Sequence, residues 1–398
     1  MYDIADVGFV VAAGARARGI RDPARAYAVL VSERNERSTE ILPLTGLRAL
    51  AVWWVVLFHF CRGNIHLPLA REVIAAGHVA VDLFFLLSGF VLARRYHPED
   101  VATWRGRWGF YVRRLARVYP LYVLSLGLGV YAEMPHSLSA LHTGRGLLRL
   151  VAQLGLLNAW SHLWMFRHNW AAWSLSVEVF FYLVFPWVLP WVMTLRPGRV
   201  VLAAAVLALA VPAAYNAIDP DHLGHPLQRG DEVLWSWYVK FFPLQRLPMF
   251  VAGVAASRIP EARLPRWSAD LVLVGIVGLL VLNVVPYALL QGGALLVPFV
   301  ALVVGLARDE ERASVLGRVL ATRPFVALGH ASYATYILHV PLFLALERHD
   351  PLMDTELTHF LGYAALLVVV SLVAYRFVEQ PLRRFLTRSL SSRATLRG

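Results

Sequence analysis

The stretch VVLAAAVLALAVPAAY, Val200 to Tyr215, has no charged side chain and one hydroxyl in sixteen residues. A run of this kind is a candidate bilayer span, and LVLVGIVGLLVLNVV (271–285) repeats the pattern. The remainder of the chain agrees. Of its 398 residues 58% are hydrophobic and 16% charged, with a mean hydropathy of +0.56, too apolar for a soluble chain of this length. The fold class expected is all-α, a polytopic transmembrane helix bundle. Apolar windows place ten spans, near 43–61, 77–94, 119–134, 173–194, 199–215, 241–257, 269–287, 290–307, 326–346 and 359–378. QLGLLNAWSHLWMF (153–166) is an eleventh apolar stretch, and its Asn, Ser and His mark it as a re-entrant or interfacial piece.

The net charge of +12 invites a nucleic-acid reading, which the placement of the cations rejects. With the N-terminus in the cytosol, 28 of the 38 arginines and lysines fall in cytosolic segments and 8 outside. That is the positive-inside asymmetry of a multi-pass membrane protein with both termini cytosolic. Residues 1–41 read as a cytosolic N-terminal arm, 42–388 as the membrane domain and 389–398 as a basic cytosolic tail. A lone cysteine, Cys61, excludes an intramolecular disulfide. It behaves as a small hydrophobe more often than as a nucleophile.

Ionisable groups at membrane depth are costly and mark bundle interiors or water-filled cavities. RALAVWWVVLFHF (48–60) carries Arg48 low and His59 high. Eleven residues at about 1.5 Å each separate them by roughly 16 Å, close to three whole turns, so both lie on one face. Depth counting brings Asp82, Glu178 and His339 to the upper level of His59, where a carboxylate beside an imidazole would support general-base catalysis. Ser88 and Gly89 sit deeper. Arg113, Arg114 and Arg117 fall in a loop, 95–118, at the cytosolic mouth of the third span, either as headgroup anchors or as bidentate phosphate contacts. The levels suggest a phosphorylated donor entering from the cytosol and an acceptor arriving from outside.

LTGLRALAVWWVVLFHF, GHVAVDLFFLLSGFVL, RRLARVYPLY, WSLSVEVFFYLVFP, GHASYATYILHVPLF and FVEQPLRRFL follow in this order. Together they resemble the acyltransferase-3 family of membrane acyltransferases, which O-acylate sugars and secreted metabolites, over about residues 42–388. The resemblance implies His59 as the essential histidine, Arg48 as its basic partner with ten residues between them, and Asp82, Glu178 and His339 beside them in catalysis. It implies Ser88, Arg114, Arg117 and Tyr119 on the donor side, and Trp173, Ser174 and Tyr336 on the acceptor. It further implies acyl-CoA, acetyl-CoA foremost, as co-substrate, with no resident cofactor and no metal. The partners expected are that donor, a carbohydrate or secreted-metabolite acceptor, membrane lipid and a separate periplasmic protein, with no nucleic acid. The site expected is the inner membrane. Val179-Phe180 departs from the Glu-Gln or Trp-Gln that follows the glutamate in many members, which leaves the acceptor open. The competing reading is a transporter or lipid-linked glycan flippase with a His/acid proton relay. A glycan polymerase is disfavoured by the sparsely basic outer loop, 135–172.

Overall fold

The computed structural model describes residues 40–61, 68–134, 143–165, 168–218, 237–261, 264–308, 314–349 and 357–386. The N-terminal arm before Glu40 and the basic tail 389–398 lie outside the described residues. Within them the chain is all helical. The helices are α1 (Leu42–Phe60), α2 (Ala80–Arg95), α3 (Trp104–Ala132), α4 (Gly144–Leu154), α5 (Trp173–Thr194), α6 (Pro197–Ile218), α7 (Pro243–Ala256), α8 (Ser268–Val281), α9 (Leu296–Leu306), α10 (Ser332–Glu347) and α11 (Leu357–Ala374), joined by shorter helical turns.

Six stretches among the described residues are long and apolar enough to cross a membrane: 42–60, 69–95, 104–132, 170–194, 197–217 and 357–386. The other four windows are helical but shorter than the roughly 20 residues of a full span. α7 and α8 have 14 residues each, α9 has 11 and α10 has 16. Local chemistry explains two of the shortfalls. The window 290–307 breaks at the turn 292–295, where Gly293 takes φ +98°, a conformation that suits glycine. The window 326–346 is interrupted at Ala331, between a helical segment Arg323–His330 and α10.

The loop expected over 95–118 is corrected. Thr103 accepts from the Gly106 N–H and caps α3, which then runs unbroken for 29 residues. Arg113, Arg114 and Arg117 are therefore helical, and Arg114 and Arg117 lie three apart on one face. A run of arginines breaks a hydropathy window without breaking a helix whose cations face inward.

Packing is closest between α2 and α7. A Cβ on Gly89 would meet the Phe250 carbonyl oxygen at 2.1 Å, and one on Gly253 the Leu86 oxygen at 2.0 Å. Such close backbone approach is how helices associate where lipid removes the hydrophobic drive between them. α3 lies along α10, α10 along α11, and α7 also contacts α5 and α6. Large apolar side chains such as Leu202, Val274, Leu361 and Phe377 face outward, as lipid-facing positions require. The protein is a multi-pass membrane protein.

Candidate active site

The ionisable side chains singled out above fall into three groups inside the bundle. The first is a histidine pair. His59 Nδ1 of α1 lies 2.9 Å from His339 Nε2 of α10, with the two ring planes 9° apart. His339 is fully buried, and its Nδ1 donates to the Tyr336 carbonyl one turn earlier. A carbonyl only accepts, so His339 carries its proton on Nδ1 and presents Nε2 as an acceptor. His59 must then donate from Nδ1, which leaves the basic lone pair on His59 Nε2. Trp170 sets its edge on the His59 ring at 4.5 Å and 85°, and Tyr363 Oη donates to the His339 carbonyl at 2.8 Å.

The second group lines an open cavity between α1, α2, α3, α5 and α10. Its wall holds Arg48 from α1, Ser88 from α2, Arg114 and Arg117 from α3, Ser174, Glu178 and Tyr182 from α5, and Ser332, Tyr333 and Tyr336 from α10. Glu178 Oε1 accepts from Ser88 Oγ at 3.4 Å and, at close range, from Tyr182 Oη one turn along α5. Ser174 Oγ donates to Tyr336 Oη at 2.7 Å, and Tyr336 Oη in turn donates to the Ala171 carbonyl. Arg114 reaches Tyr96 Oη at 3.5 Å, while its Nε is buried without a partner. Among the described residues the guanidinium groups of Arg48 and Arg117 make no hydrogen bond or ion pair; the opposite charges acting on both are Glu178 and Glu379. Three guanidinium groups with donors to spare, in a wall that also carries serine and tyrosine hydroxyls, make an anion-receptive cavity. The ceiling of that cavity, Tyr336, is the residue whose carbonyl fixes the His339 tautomer.

The third group is an ion pair. Asp82 of α2 lies 3.0 and 3.3 Å from Arg246 Nη1 of α7, both side chains nearly fully buried. Arg246 also donates to the carbonyls of Val239, Lys240 and Gln291. It thereby gathers α2, α7 and the segments before α7 and α9.

The four groups that depth counting set at one level are thus divided. The structure brings His59 and His339 together; it places Glu178 in the arginine cavity and Asp82 against Arg246. Neither carboxylate bonds to either histidine. Arg48, Ser88, Arg114, Arg117, Ser174 and Tyr336 share the cavity wall as a set. Tyr119 is 38% exposed and donates to the Leu154 carbonyl at the end of α4, away from the cavity. Trp173 packs on Phe241 at 4.9 Å and on Phe85 at 6.0 Å, also outside its lining.

Three residues were not singled out from sequence. Tyr182 follows Glu178 by four, the spacing that puts side chains together on a helix, so its signal was present. Glu379 is buried at the end of a π-helical turn, Tyr375–Glu379, that continues α11. Such widened turns recur at functional sites, and nothing in FVEQP announces one. Ser332 has a buried hydroxyl without a hydrogen-bond partner, and a serine at the start of a helix carries no further signal in sequence.

Comparison with known proteins follows this geometry. Residues 42–376 match the family model described as an acyltransferase domain, Acyl_transf_3. The acyltransferase MdmB of Streptomyces mycarofaciens is 28% identical over 381 residues, covering 88% of this chain and 94% of that protein. The peptidoglycan O-acetyltransferase OatA of Listeria monocytogenes is 23% identical over 377 residues, covering 86% of this chain and 55% of its own length. The O-acetyltransferase OatA of Staphylococcus aureus is 22% identical, at 87% and 58% coverage. The chain therefore spans little more than half the length of the OatA proteins. No solved structure matches the chain. With the match running from the start of α1 to the π-turn after α11, the chain belongs to the acyltransferase-3 family of membrane acyltransferases, enzymes that transfer groups other than amino-acyl groups.

Proposed function

We propose that the chain takes an acyl group, acetyl foremost, from acyl-CoA on the cytosolic side of the inner membrane. It passes that group to a hydroxyl of a sugar, polysaccharide or secreted metabolite on the outer side. The observation that carries this reading is the histidine pair standing one helical turn above a cavity walled by three arginines.

Arg48, Arg114 and Arg117 hold the donor's phosphates, as planar forks suited to bidentate contact. From Arg48 to His59 is roughly 16 Å along α1, a distance that an extended pantetheine arm covers. The thioester then lies below His59. His59 Nε2 accepts the proton of the acceptor hydroxyl as its oxygen attacks the thioester carbonyl. The new C–O bond forms, the C–S bond breaks, and the proton returns from His59 to the departing thiolate. His339 holds the charged His59 through Nδ1, in the role an orienting acceptor plays beside any catalytic imidazole. Glu178, clamped by Ser88 and Tyr182, offsets part of the arginine charge. Ser174 and Tyr336 face the acceptor, and Asp82 acts through Arg246 on the position of α7.

The relatives support the two ends of this reading: one is named an acyltransferase and others O-acetyltransferases, one of them of peptidoglycan. The test is acetyl transfer by the purified full chain in detergent, with acetyl-CoA as donor and a methyl glycoside as hydroxyl acceptor. His59→Ala is expected to lower the rate by about 10²–10⁴-fold, the usual worth of a general base. Activity of that variant near wild type would remove His59 from the chemistry.

A further inference from the structure

The segment entering α5, His168 to Ala172, is a strap whose attachment exceeds what a connection needs. His168 takes φ +56°, in the left-handed region that side chains other than glycine seldom adopt. It is held there by Glu133, which accepts from the His168 N–H at 3.0 Å and lies 3.2 Å from its Nδ1. The strap lies flush on α3 because Gly129 is there; a Cβ at that position would meet the His168 carbonyl oxygen at 2.3 Å.

Asn169 is 3% exposed. Its Nδ2 donates to Ser125 Oγ of α3 at 3.1 Å and to the Ile337 carbonyl of α10 at 2.8 Å. Ser125 donates its own proton to the Tyr122 carbonyl, so it accepts from Asn169, and the amide orientation follows from the bonding. The Ile337 carbonyl needs this donor. Four residues on stands Pro341, which has no N–H to offer. Asn169 thus replaces the hydrogen bond that proline removes from α10. It does so between Tyr336, whose carbonyl fixes the His339 tautomer, and His339 itself. The next residue, Trp170, lies edge-on against His59.

We propose that Asn169 is a positioning residue for the histidine pair, holding α10 at the hydrogen bond that Pro341 cannot donate, and the Trp170 ring, so that His59 Nδ1 and His339 Nε2 stay in line. The inference rests on the acyltransfer reading above. It predicts an effect on turnover and none on donor binding, because Asn169 does not line the arginine cavity.

The test measures kcat and the KM for acetyl-CoA by thiol release from the full chain in detergent, with a methyl glycoside present. Cys61, the one cysteine, is buried, which keeps the thiol background low. Asn169→Asp keeps the shape and loses the donor, and Asn169→Ala loses both. Each is expected to lower kcat fivefold or more, with KM within twofold of wild type, in protein that still assembles and melts at a lower temperature, because the buried Ile337 carbonyl loses its donor. A smaller fall in kcat, or a rise in KM in its place, overturns the proposal. Failure of both variants to assemble also overturns it, in favour of a structural role. Wild-type release no faster than that of His59→Ala sinks the acyltransfer reading and this inference together. Release abolished by His59→Ala and untouched by Asn169→Asp sinks the inference alone.

Discussion

At the scale of single residues, the buried pair Asp82–Arg246 shows where sequence reasoning stops. A carboxylate in an apolar helix announces that it has a partner, because an unpaired charge at that depth is not sustained. The identity of the partner is another matter: Arg246 lies 164 positions away, and no local spacing connects them. Glu178 and Tyr182 are four apart, and their contact was legible for that reason. Arg246→Ala leaves Asp82 buried without its counter-charge, a change that costs about 3–5 kcal/mol when one member of a buried pair is removed. Replacing both by apolar residues of similar size, Asp82→Leu with Arg246→Met, removes both charges and is expected to recover part of that loss, because the Val239, Lys240 and Gln291 carbonyls still lose their donor. Thermal melting of the detergent-purified variants measures the difference. A single Arg246→Ala variant as stable as wild type would show that the pair does not hold α2 to α7.

At the scale of elements, helix positions were legible wherever apolar residues ran on, and helix ends were not. Hydropathy counts Arg113, Arg114 and Arg117 as the end of a span, yet the cap at Thr103 starts α3 well before them. The histidine pair was half legible: depth counting set His339 at the level of His59, but that His339 and neither carboxylate bonds His59 needed the packed bundle. Glycines separate the packed elements from the lipid-facing ones. Gly253 sits against the Leu86 carbonyl oxygen, whereas a Cβ on Gly275 of α8 would meet nothing within 4 Å. Gly253→Leu forces α7 off α2 and draws Arg246 from Asp82; overpacking of this kind costs about 1–3 kcal/mol and more where backbone is the obstacle. Gly275→Leu is expected to melt within a few degrees of wild type. Equal melting temperatures for the two variants would contradict the α2–α7 contact.

At the scale of the whole molecule, the proposed reaction requires a direction, and the direction depends on orientation. The arginine cavity receives a cytosolic donor only if α1 runs outward, with Arg48 on the inner side of His59. The distribution of cations argues for that sense: if all ten apolar windows cross, 28 of the 38 fall on the cytosolic side. An even number of crossings then returns the C-terminal tail to the side on which the chain began. The helices of 11 to 16 residues make this a real question, since each must cross or turn back as a pair for the parity to hold. Single cysteines in a Cys61→Ser background decide it. Ser32→Cys in the arm and Ser392→Cys in the tail are expected to resist a membrane-impermeant maleimide in intact cells and to react after lysis. Gln228→Cys, between α6 and α7, is expected to react in both. Labelling of Ser392→Cys from outside would make the number of crossings odd. Labelling of Ser32→Cys from outside would reverse α1, place the arginines on the outer side, and remove the cytosolic donor from the mechanism.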